Sequence, residues 1–299
     1  VIAVRKAAEP KKPRVMLAAH MDEVGLMVVS AADDGLLRFR TVGGVDPRVL
    51  VSKRVRVGYD TEDAPSLPGV IGAMAIHQQT PEDRKTVLPV DQLYIDIGAK
   101  DKAEAEAKAP AGTPVTFDTP YTPFGDGKVV AKALDDRAGV YNLLRLLDAP
   151  YAGELTLAFT SQEEVGCRGA AAAGYRVQPD IALILETTAV NDLGETPEAL
   201  QVSRVGEGVC VSFMDLSSVG DAELYRKMLD IGKTAGVPCQ VKRFVSGGND
   251  AGAIQRSGAG SRTLALSVPC RSIHSPASVC ALSDVDAQAA LVRAYLASL

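Results

Sequence analysis

Short apolar runs separated by glycine, proline and aspartate occupy the chain from about residue 24 to residue 118. Asp34-Gly35 marks a hairpin turn between two of these runs, and a single Ala/Glu/Lys-rich helix is predicted over about 100–109. Many short strands with frequent turn signals predict a small β-barrel or sandwich. The strand-like runs after this hairpin are VSKRVRVG, PGVIGAMAIH, DQLYIDIGA and TPVTFD.

After residue 125 the pattern alternates between apolar strands and amphipathic helices. This alternation predicts an α/β fold, a three-layer sandwich with a largely parallel sheet. The run RVMLAA at 14–19 has the character of a strand of the same sheet. We therefore assign residues 1–23 and 119–299 to one α/β domain, and residues 24–118 to an inserted β-rich domain. Ser283 is the predicted N-cap of the closing helix. The predicted strands are ELTLAFT, DIALILE, PCQVKRF and RTLALSV, and the predicted helices are LDDRAGVYNLLRLLD, VGCRGAAAAGY, DAELYRKMLDIGKTAG, NDAGAIQRSGAG and SDVDAQAALVRAYLASL.

Composition and charge argue against several classes of function. The chain is 46% hydrophobic and 23% charged, as in soluble globular proteins. A net charge of −5 without a basic run argues against a nucleic-acid partner. No apolar run reaches the ~18–20 residues that span a bilayer, and no signal peptide is recognisable, so we expect no membrane partner. Five scattered cysteines without a CxxC favour reduced thiols and a cytoplasmic location. Because the chain begins without Met, we expect that an N-terminal segment is missing from it.

Metal-ligand residues follow four of the predicted α/β strands. In an open α/β sheet, ligand sites gather beyond the carboxyl ends of the strands, so these side chains are predicted to converge. Imidazole and carboxylate ligands suit Zn²⁺ or related ions such as Co²⁺ and Mn²⁺. The residues at the four strand ends are His20 with Asp22, Glu163 with Glu164, Glu186, and His274.

More acids gather here than one zinc ion needs. Two divalent metal ions ~3.5–4 Å apart, sharing a bridging carboxylate, would use them all. Such a pair lowers the pKa of a bridging water, polarises a carbonyl and leaves one glutamate free as a base. The residues alone also allow simpler roles: His20 in a core hydrogen bond, Asp135 and Asp136 as helix caps, and His274 on the surface. Cys167 is expected to pack near the site.

Five motifs occur in a characteristic order: AAHMDEVGLMV, KALDDRAGV, TSQEEVGCRGA, GGNDAGAIQ and IHSP. Together they resemble the tetrahedral (TET) aminopeptidases, also called the glutamyl aminopeptidase family, a branch of the dinuclear zinc exopeptidases. The resemblance spans essentially the whole chain. It implies that His20 and Glu186 hold one metal, that Glu164 and His274 hold the other, and that Asp135 bridges both.

The same resemblance implies the catalytic roles and the assembly. Glu163 would be the general base, and Asp22 would orient His20. The Asp135–Asp136 peptide bond would be cis. The β-rich insertion would be a dimerisation domain, and dimers of this family often form a hollow dodecamer. Two positions depart from the family pattern: Glu186 stands where many members carry Asp, and GGND stands where GGTD is common.

The leading hypothesis is a metal-dependent aminopeptidase that removes N-terminal residues from short peptides. The nearest alternative is a deacylase of N-acyl amino acids or sugars with the same metals. A glycoside hydrolase with paired carboxylates is a weaker alternative, because the chain has no Trp and adjacent glutamates cannot readily flank one bond. A scaffold that has lost its metals is the non-enzyme alternative. The sequence leaves the preferred N-terminal residue and the native metal open.

Overall fold

The computed structural model describes residues 1–62 and 65–299. The described residues form two compact units, one of Val1–Glu23, Thr122–Ile273 and Ser278–Leu299, and one of Val24–Tyr121 and His274–Ala277. In chain order, leaving short 3-10 turns aside, the described elements are β1 (Ile2–Arg5), β2 (Val15–His20), β3 (Gly25–Ala31), β4 (Leu37–Val42), β5 (Arg54–Val57), β6 (Leu67–Gly72), β7 (Tyr94–Asp96), α1 (Lys102–Lys108), β8 (Pro114–Phe117), β9 (Thr122–Phe124), β10 (Lys128–Ala131), α2 (Leu134–Arg145), β11 (Leu155–Thr160), α3 (Arg168–Val177), β12 (Ile181–Ala189), β13 (Val209–Val211), α4 (Ala222–Ala235), β14 (Cys239–Val241), α5 (Asp250–Gln255), β15 (Arg262–Arg271), β16 (Ser278–Ala281) and α6 (Leu282–Ala297).

The first unit is built on a ten-stranded mixed sheet. Its centre is parallel, in the order β11-β2-β12-β15. Antiparallel strands extend both sides: β1 pairs with β11, and β16, β10 and β9 follow β15. The predicted α/β class is confirmed. The sheet as a whole is mixed, because three- and four-residue strands that are too short to stand out in the sequence join its parallel centre in antiparallel orientation.

Helices cover both faces of this sheet. Successive residues of a strand point to opposite faces, so Leu17 of β2 packs into the core beneath α2, α4 and α6, while Met16 and Ala18 pack into the core beneath α3 and α5. All six residues of β2 are buried, as expected for a strand with helices on both sides. These layers make the three-layer sandwich that the sequence predicts.

The predicted N-cap of the last helix is wrong. Helix α6 begins at Leu282, directly after strand β16, and the N-cap position is Ala281, without a side-chain cap. Ser283 therefore lies inside the first turn. The buried Asp284 of the same turn accepts hydrogen bonds from the backbone N–H groups of Gly206 and Gly208 instead.

Among the described residues, no helix combines the length and apolarity needed to cross a bilayer.

The second unit is a closed antiparallel barrel in the order β3-β4-β7-β6-β5-β8. Its interior is filled by alternating apolar residues such as Leu26, Phe39, Val55 and Ile95, which is how a small barrel buries a core of its own. The β3–β4 hairpin turns at Gly35, whose φ of 83° suits glycine. The predicted small β-barrel is confirmed.

Candidate active site

The carboxyl ends of the parallel strands β2 and β12 bring a histidine and acids together. His20 is the last residue of β2, and Glu186 lies in β12; both side chains are buried. Nε2 of His20 lies 3.3 Å from Asp135 Oδ1, 3.5 Å from Glu186 Oε1 and 4.0 Å from Glu163 Oε2. The imidazole thus faces three carboxylates from three different segments of the first unit.

The donor atoms around His20 suit divalent cations. One group of ligand atoms within 4.8 Å of one another comes from His20, Asp135 and Glu164, and a second comes from His20, Asp136 and Glu186. One imidazole nitrogen with several carboxylate oxygens is a donor set of Zn²⁺, Co²⁺ and Mn²⁺ sites. The residues present therefore fit a metal centre.

It is unfavourable for all the acids of this centre to be ionised at the same time. Burial is the largest cause that raises the pKa of Glu186 to about 8 and the pKa of Glu163 to about 7. Burial alone would lower the pKa of His20, but the carboxylates of Glu186, Asp135 and Asp22 raise it well above its ordinary value. Bound cations would compensate this buried negative charge and would hold the acids ionised.

Asp22 contacts His20 and also holds the segment that carries both glutamates. Nδ1 of His20 lies 3.1 Å from the Asp22 carbonyl oxygen and 3.6 Å from its carboxylate. The same carboxylate accepts hydrogen bonds from the backbone N–H groups of Glu163 and Glu164, each at 3.2 Å. Asp22 therefore ties the end of β2 to the turn after β11, a link that the sequence pattern did not reveal.

The neighbouring aspartates of α2 have different surroundings. Asp136 is fully buried and accepts hydrogen bonds from the backbone N–H groups of His20 at 3.2 Å and Gly139 at 3.0 Å, so it links the end of β2 to the start of α2. Asp135 faces His20 instead. The peptide bond between the two aspartates is cis, as predicted. A Cβ at Gly139 would lie 2.5 Å from the Leu185 carbonyl oxygen, so only glycine fits this approach of α2 to β12.

Three further residues beside the glutamates were assigned no chemistry from the sequence. Asp250, the first residue of α5, is buried, and Thr160 Oγ1 donates to its Oδ2 at 2.5 Å. Cys167 Sγ lies 3.5 Å from Glu163 Oε1. Burial is the largest cause that raises the pKa of Asp250, and the same holds for the pKa of Cys167. The GGND motif was the available signal for Asp250, and the end of the ELTLAFT strand was the signal for Thr160.

Left-handed backbone conformations border the segments that carry the site. Ala133 has a φ of 55°, Gln162 a φ of 59° and Cys167 a φ of 53°. Non-glycine residues adopt this region uncommonly. Ala133 lies two residues before Asp135, and the other two residues flank Glu163 and Glu164. The chain therefore changes direction sharply beside each of these acids, and these changes set the direction of the three side chains.

The fifth predicted ligand, His274, belongs to the second unit. Its Nδ1 lies 3.1 Å from the carbonyl oxygen of Gly44, and its φ is 57°. Its role as a metal ligand stays a prediction.

Residues 1–291 match the family model described as M42 glutamyl aminopeptidase. The chain belongs to this family. It is therefore an aminopeptidase, a hydrolase that acts on peptide bonds, and the peptidases of its family are metal-dependent. The deacylase and glycosidase alternatives are not favoured by this membership.

Named relatives agree with this assignment over nearly the whole chain. The lysyl aminopeptidase of Pyrococcus furiosus is 30% identical over 307 residues, covering 100% of this aminopeptidase and 85% of the relative. An aminopeptidase of Desulfurococcus kamchatkensis has a solved structure with a TM-score of 0.93 at 30% identity, covering 100% of this chain and 82% of that one. The TET1 peptidase of Pyrococcus horikoshii, which can assemble into a tetrahedron or a large octahedral shell, has a solved structure with a TM-score of 0.85 at 33% identity, covering 100% of this chain and 87% of that one.

Proposed function

We propose that this aminopeptidase removes N-terminal residues from short peptides with two divalent metal ions, Zn²⁺ or Co²⁺ or Mn²⁺, bound at the carboxyl ends of the parallel strands. The observation that carries the proposal is the convergence of three carboxylates within 4.0 Å of His20 Nε2. His20 and Glu186 would hold one ion, and Glu164 and His274 the other, with Asp135 between them. The assignment of His274 rests on its IHSP motif.

Glu163 is the general base in this proposal. When bound, the metal pair would supply Lewis-acid polarisation of the scissile carbonyl and a lower pKa for water. Glu163 would then take the proton from the attacking water and pass it to the leaving amine. This carboxylate lies outside the proposed metal coordination, and burial is the largest cause that raises its pKa above the ordinary value.

Asp22 is the positioning residue for this base. Through its contacts to the backbone N–H groups of Glu163 and Glu164, it fixes one glutamate for coordination and the other for proton transfer. The remaining negative charge near the site would attract the free α-amine of a peptide, which favours cleavage at the N-terminus. Short unblocked peptides are therefore the proposed substrates.

The decisive experiment is Glu163→Gln. The amide cannot accept the proton, so kcat should fall by about 10²–10⁴-fold, the usual worth of general acid–base catalysis, while the metal content per chain stays that of the wild type. Glu106→Gln, at an exposed position of α1, is the matched control and should keep full activity. Chelator treatment should abolish hydrolysis, and returning the metal should restore it. Near-normal turnover by Glu163→Gln would overturn the assigned mechanism.

A substrate panel separates peptide hydrolysis from deacylation. Aminoacyl anilides and unblocked dipeptides should be cleaved by the metal-reconstituted enzyme, and N-acylated amino acids should not. The preferred N-terminal side chain follows from the same panel, since the family description and the Pyrococcus furiosus relative carry different side chains in their names, glutamyl and lysyl.

Self-association is the second part of the proposal. We place dimerisation on the barrel unit and expect dimers to assemble further into a dodecamer. Support comes from the Pyrococcus horikoshii neighbour, which can assemble into a tetrahedron or a large octahedral shell. Light scattering coupled to size exclusion would distinguish monomer, dimer and dodecamer by mass.

A further inference from the structure

A second cluster of ligand-type side chains lies beside the proposed metal pair. One ligand atom each from Glu163, Cys167 and Asp250 lies within 4.8 Å of the other two. Neither Cys167 nor Asp250 has a part in the mechanism proposed above, and Glu163 acts there as the base, outside the metal coordination. The cluster therefore offers three donors that the metal pair does not use.

The side chain of Asp250 gives independent evidence that this cluster can bind a cation. Its side chain is 1% exposed, and Oδ2 accepts the hydrogen bond from Thr160. Oδ1 is also buried, but it has no hydrogen-bond partner within the part of the chain that the structure describes. Burying a carboxylate oxygen without a partner costs free energy. A cation within the cluster would give this oxygen a partner.

The backbone holds the thiol in place against the glutamate. The backbone N–H groups of Gly166 and Cys167 both donate to the Glu163 carbonyl oxygen, at 2.9 and 3.0 Å. This turn brings Cys167 Sγ to 3.5 Å from Glu163 Oε1. Cys167 is only half-buried, and Gly166 and Arg168 on either side of it are exposed, so an ion from solvent can reach the sulfur.

We propose that Cys167, Asp250 and Glu163 form a third metal site, selective for a thiophilic divalent cation such as Zn²⁺ or Cd²⁺. One thiolate with two carboxylates matches the preference of these ions for sulfur better than that of Mg²⁺ or Ca²⁺. As the sulfur–metal bond forms, the thiol releases its proton to solvent. The fourth position would remain for water.

Occupation of this site blocks catalysis. This consequence rests on the proposed function, because it requires Glu163 to be the base. Once Glu163 coordinates the third ion, its carboxylate is no longer free to accept a proton from water. Excess thiophilic metal would therefore inhibit an enzyme whose metal pair is already filled.

The test uses the holoenzyme with its metals bound, titrated with Cd²⁺. Ultraviolet charge-transfer absorption from thiolate to cadmium reports the new bond, and peptide hydrolysis is measured in the same samples. Wild type should develop the band at one equivalent and lose activity in parallel. Cys167→Ser should lack the band and need at least about tenfold more Cd²⁺ for half-inhibition, because losing even a group that only orients a ligand costs about tenfold in metal affinity. Cys239→Ser, at another half-buried thiol, should behave as wild type.

Asp250→Asn is the second variant, since it keeps the thiol and should shift the band to at least about tenfold higher Cd²⁺. Each variant is compared with its own uninhibited rate, so that a change in basal activity does not enter. A band that persists in Cys167→Ser, or an unchanged titration in Asp250→Asn, overturns the metal site. A normal band with undiminished hydrolysis overturns the role of Glu163 as base and leaves the metal site standing.

Discussion

Replacing Asp22 with Ala should release the turn that carries Glu163 and Glu164. Two backbone N–H groups donate to this one carboxylate, each at 3.2 Å. A hydrogen bond to a charged group contributes about 1.5–3 kcal/mol, and 3.2 Å is the long end of the usual range. We therefore take the lower value for each and expect a loss of about 3 kcal/mol in the local stability of the turn. Asp22→Asn should lose about half, because its oxygen accepts from one amide while its NH₂ group cannot accept from the other.

Amide hydrogen exchange measures this loss directly. At about 1.4 kcal/mol for each factor of ten, Asp22→Ala should exchange the amides of Glu163 and Glu164 roughly 100-fold faster than wild type. Metal affinity should fall by about 10–100-fold, the usual effect of removing a group that orients ligands, and kcat should fall with it. Asp230→Ala, at an exposed position of α4, is the control that removes a carboxylate without touching the turn.

The reasoning fails if Asp22→Ala exchanges these two amides at the wild-type rate and keeps its metal. In that case the two 3.2 Å contacts would contribute nothing to holding the turn. A variant that loses metal while the amides stay protected would place the role of Asp22 at His20 alone.

Two further predictions concern the support of the sheet. Asp221 caps α4 and pairs with Arg262 at 2.9 Å, which holds the pKa of Asp221 at about 2. Asp221→Asn should cost up to about 1 kcal/mol by losing the ion pair, and Asp221→Ala about 1 kcal/mol more by losing the cap. Because the folded pKa lies below the ordinary 3.8, the ion-pair contribution is complete above that pH and disappears as the pH falls through about 2. Gly139→Ala should destabilise the protein and lower its metal content, since the 2.5 Å approach to Leu185 implies overpacking of about 1–3 kcal/mol against a helix gain of about 0.5–1 kcal/mol.

Denaturant midpoints at fixed protein concentration check both predictions. For Asp221→Asn, the difference in denaturant midpoint from wild type should become smaller as the pH falls from 3.8 to about 2. A difference that does not depend on pH would contradict the ion-pair argument. Asp286→Asn removes an exposed ion pair with Arg145 and should change little. For Gly139→Ala, the control is Gly194→Ala, where a Cβ would meet nothing within 4 Å. Wild-type stability of Gly139→Ala would show that α2 can move away from β12.

The hydrophobic pattern predicts the central strands because they are buried on both faces. Strand β2 reads as an unbroken apolar run up to His20, β12 reads as one up to Glu186, and the apolar run of β11 is interrupted only by Thr156. Short pieces such as β9, β10 and β16 were not predicted. Their pairing partners are distant in sequence, as in the register of Val130 with Val279, and a strand of three or four residues leaves little periodicity to detect.

For the site, strand-end reasoning predicts which residues gather but not what each one touches. His20 and Glu186 meet because parallel strands end at one edge of the sheet. The contacts of Asp22 and Asp136 depend on the direction of individual backbone N–H groups, which no residue pattern encodes. Asp250 is brought to the site by the packing of α5 against the sheet. Its closeness to Glu163 therefore depends on the tertiary fold and cannot be read from the sequence.

The left-handed residues around the site restrict how this sequence can vary. Ala133, Gln162 and Cys167 each occupy a conformation that glycine, asparagine and aspartate accept at low cost and that β-branched residues avoid. Substitution libraries at these three positions should therefore return glycine and asparagine among the active clones and exclude valine, isoleucine and threonine, even though none of the three is a proposed ligand of the metal pair. At Cys167, a change to glycine would relax the backbone at the same time as it removes the thiol, so an enzyme resistant to thiophilic metals is one favourable substitution away.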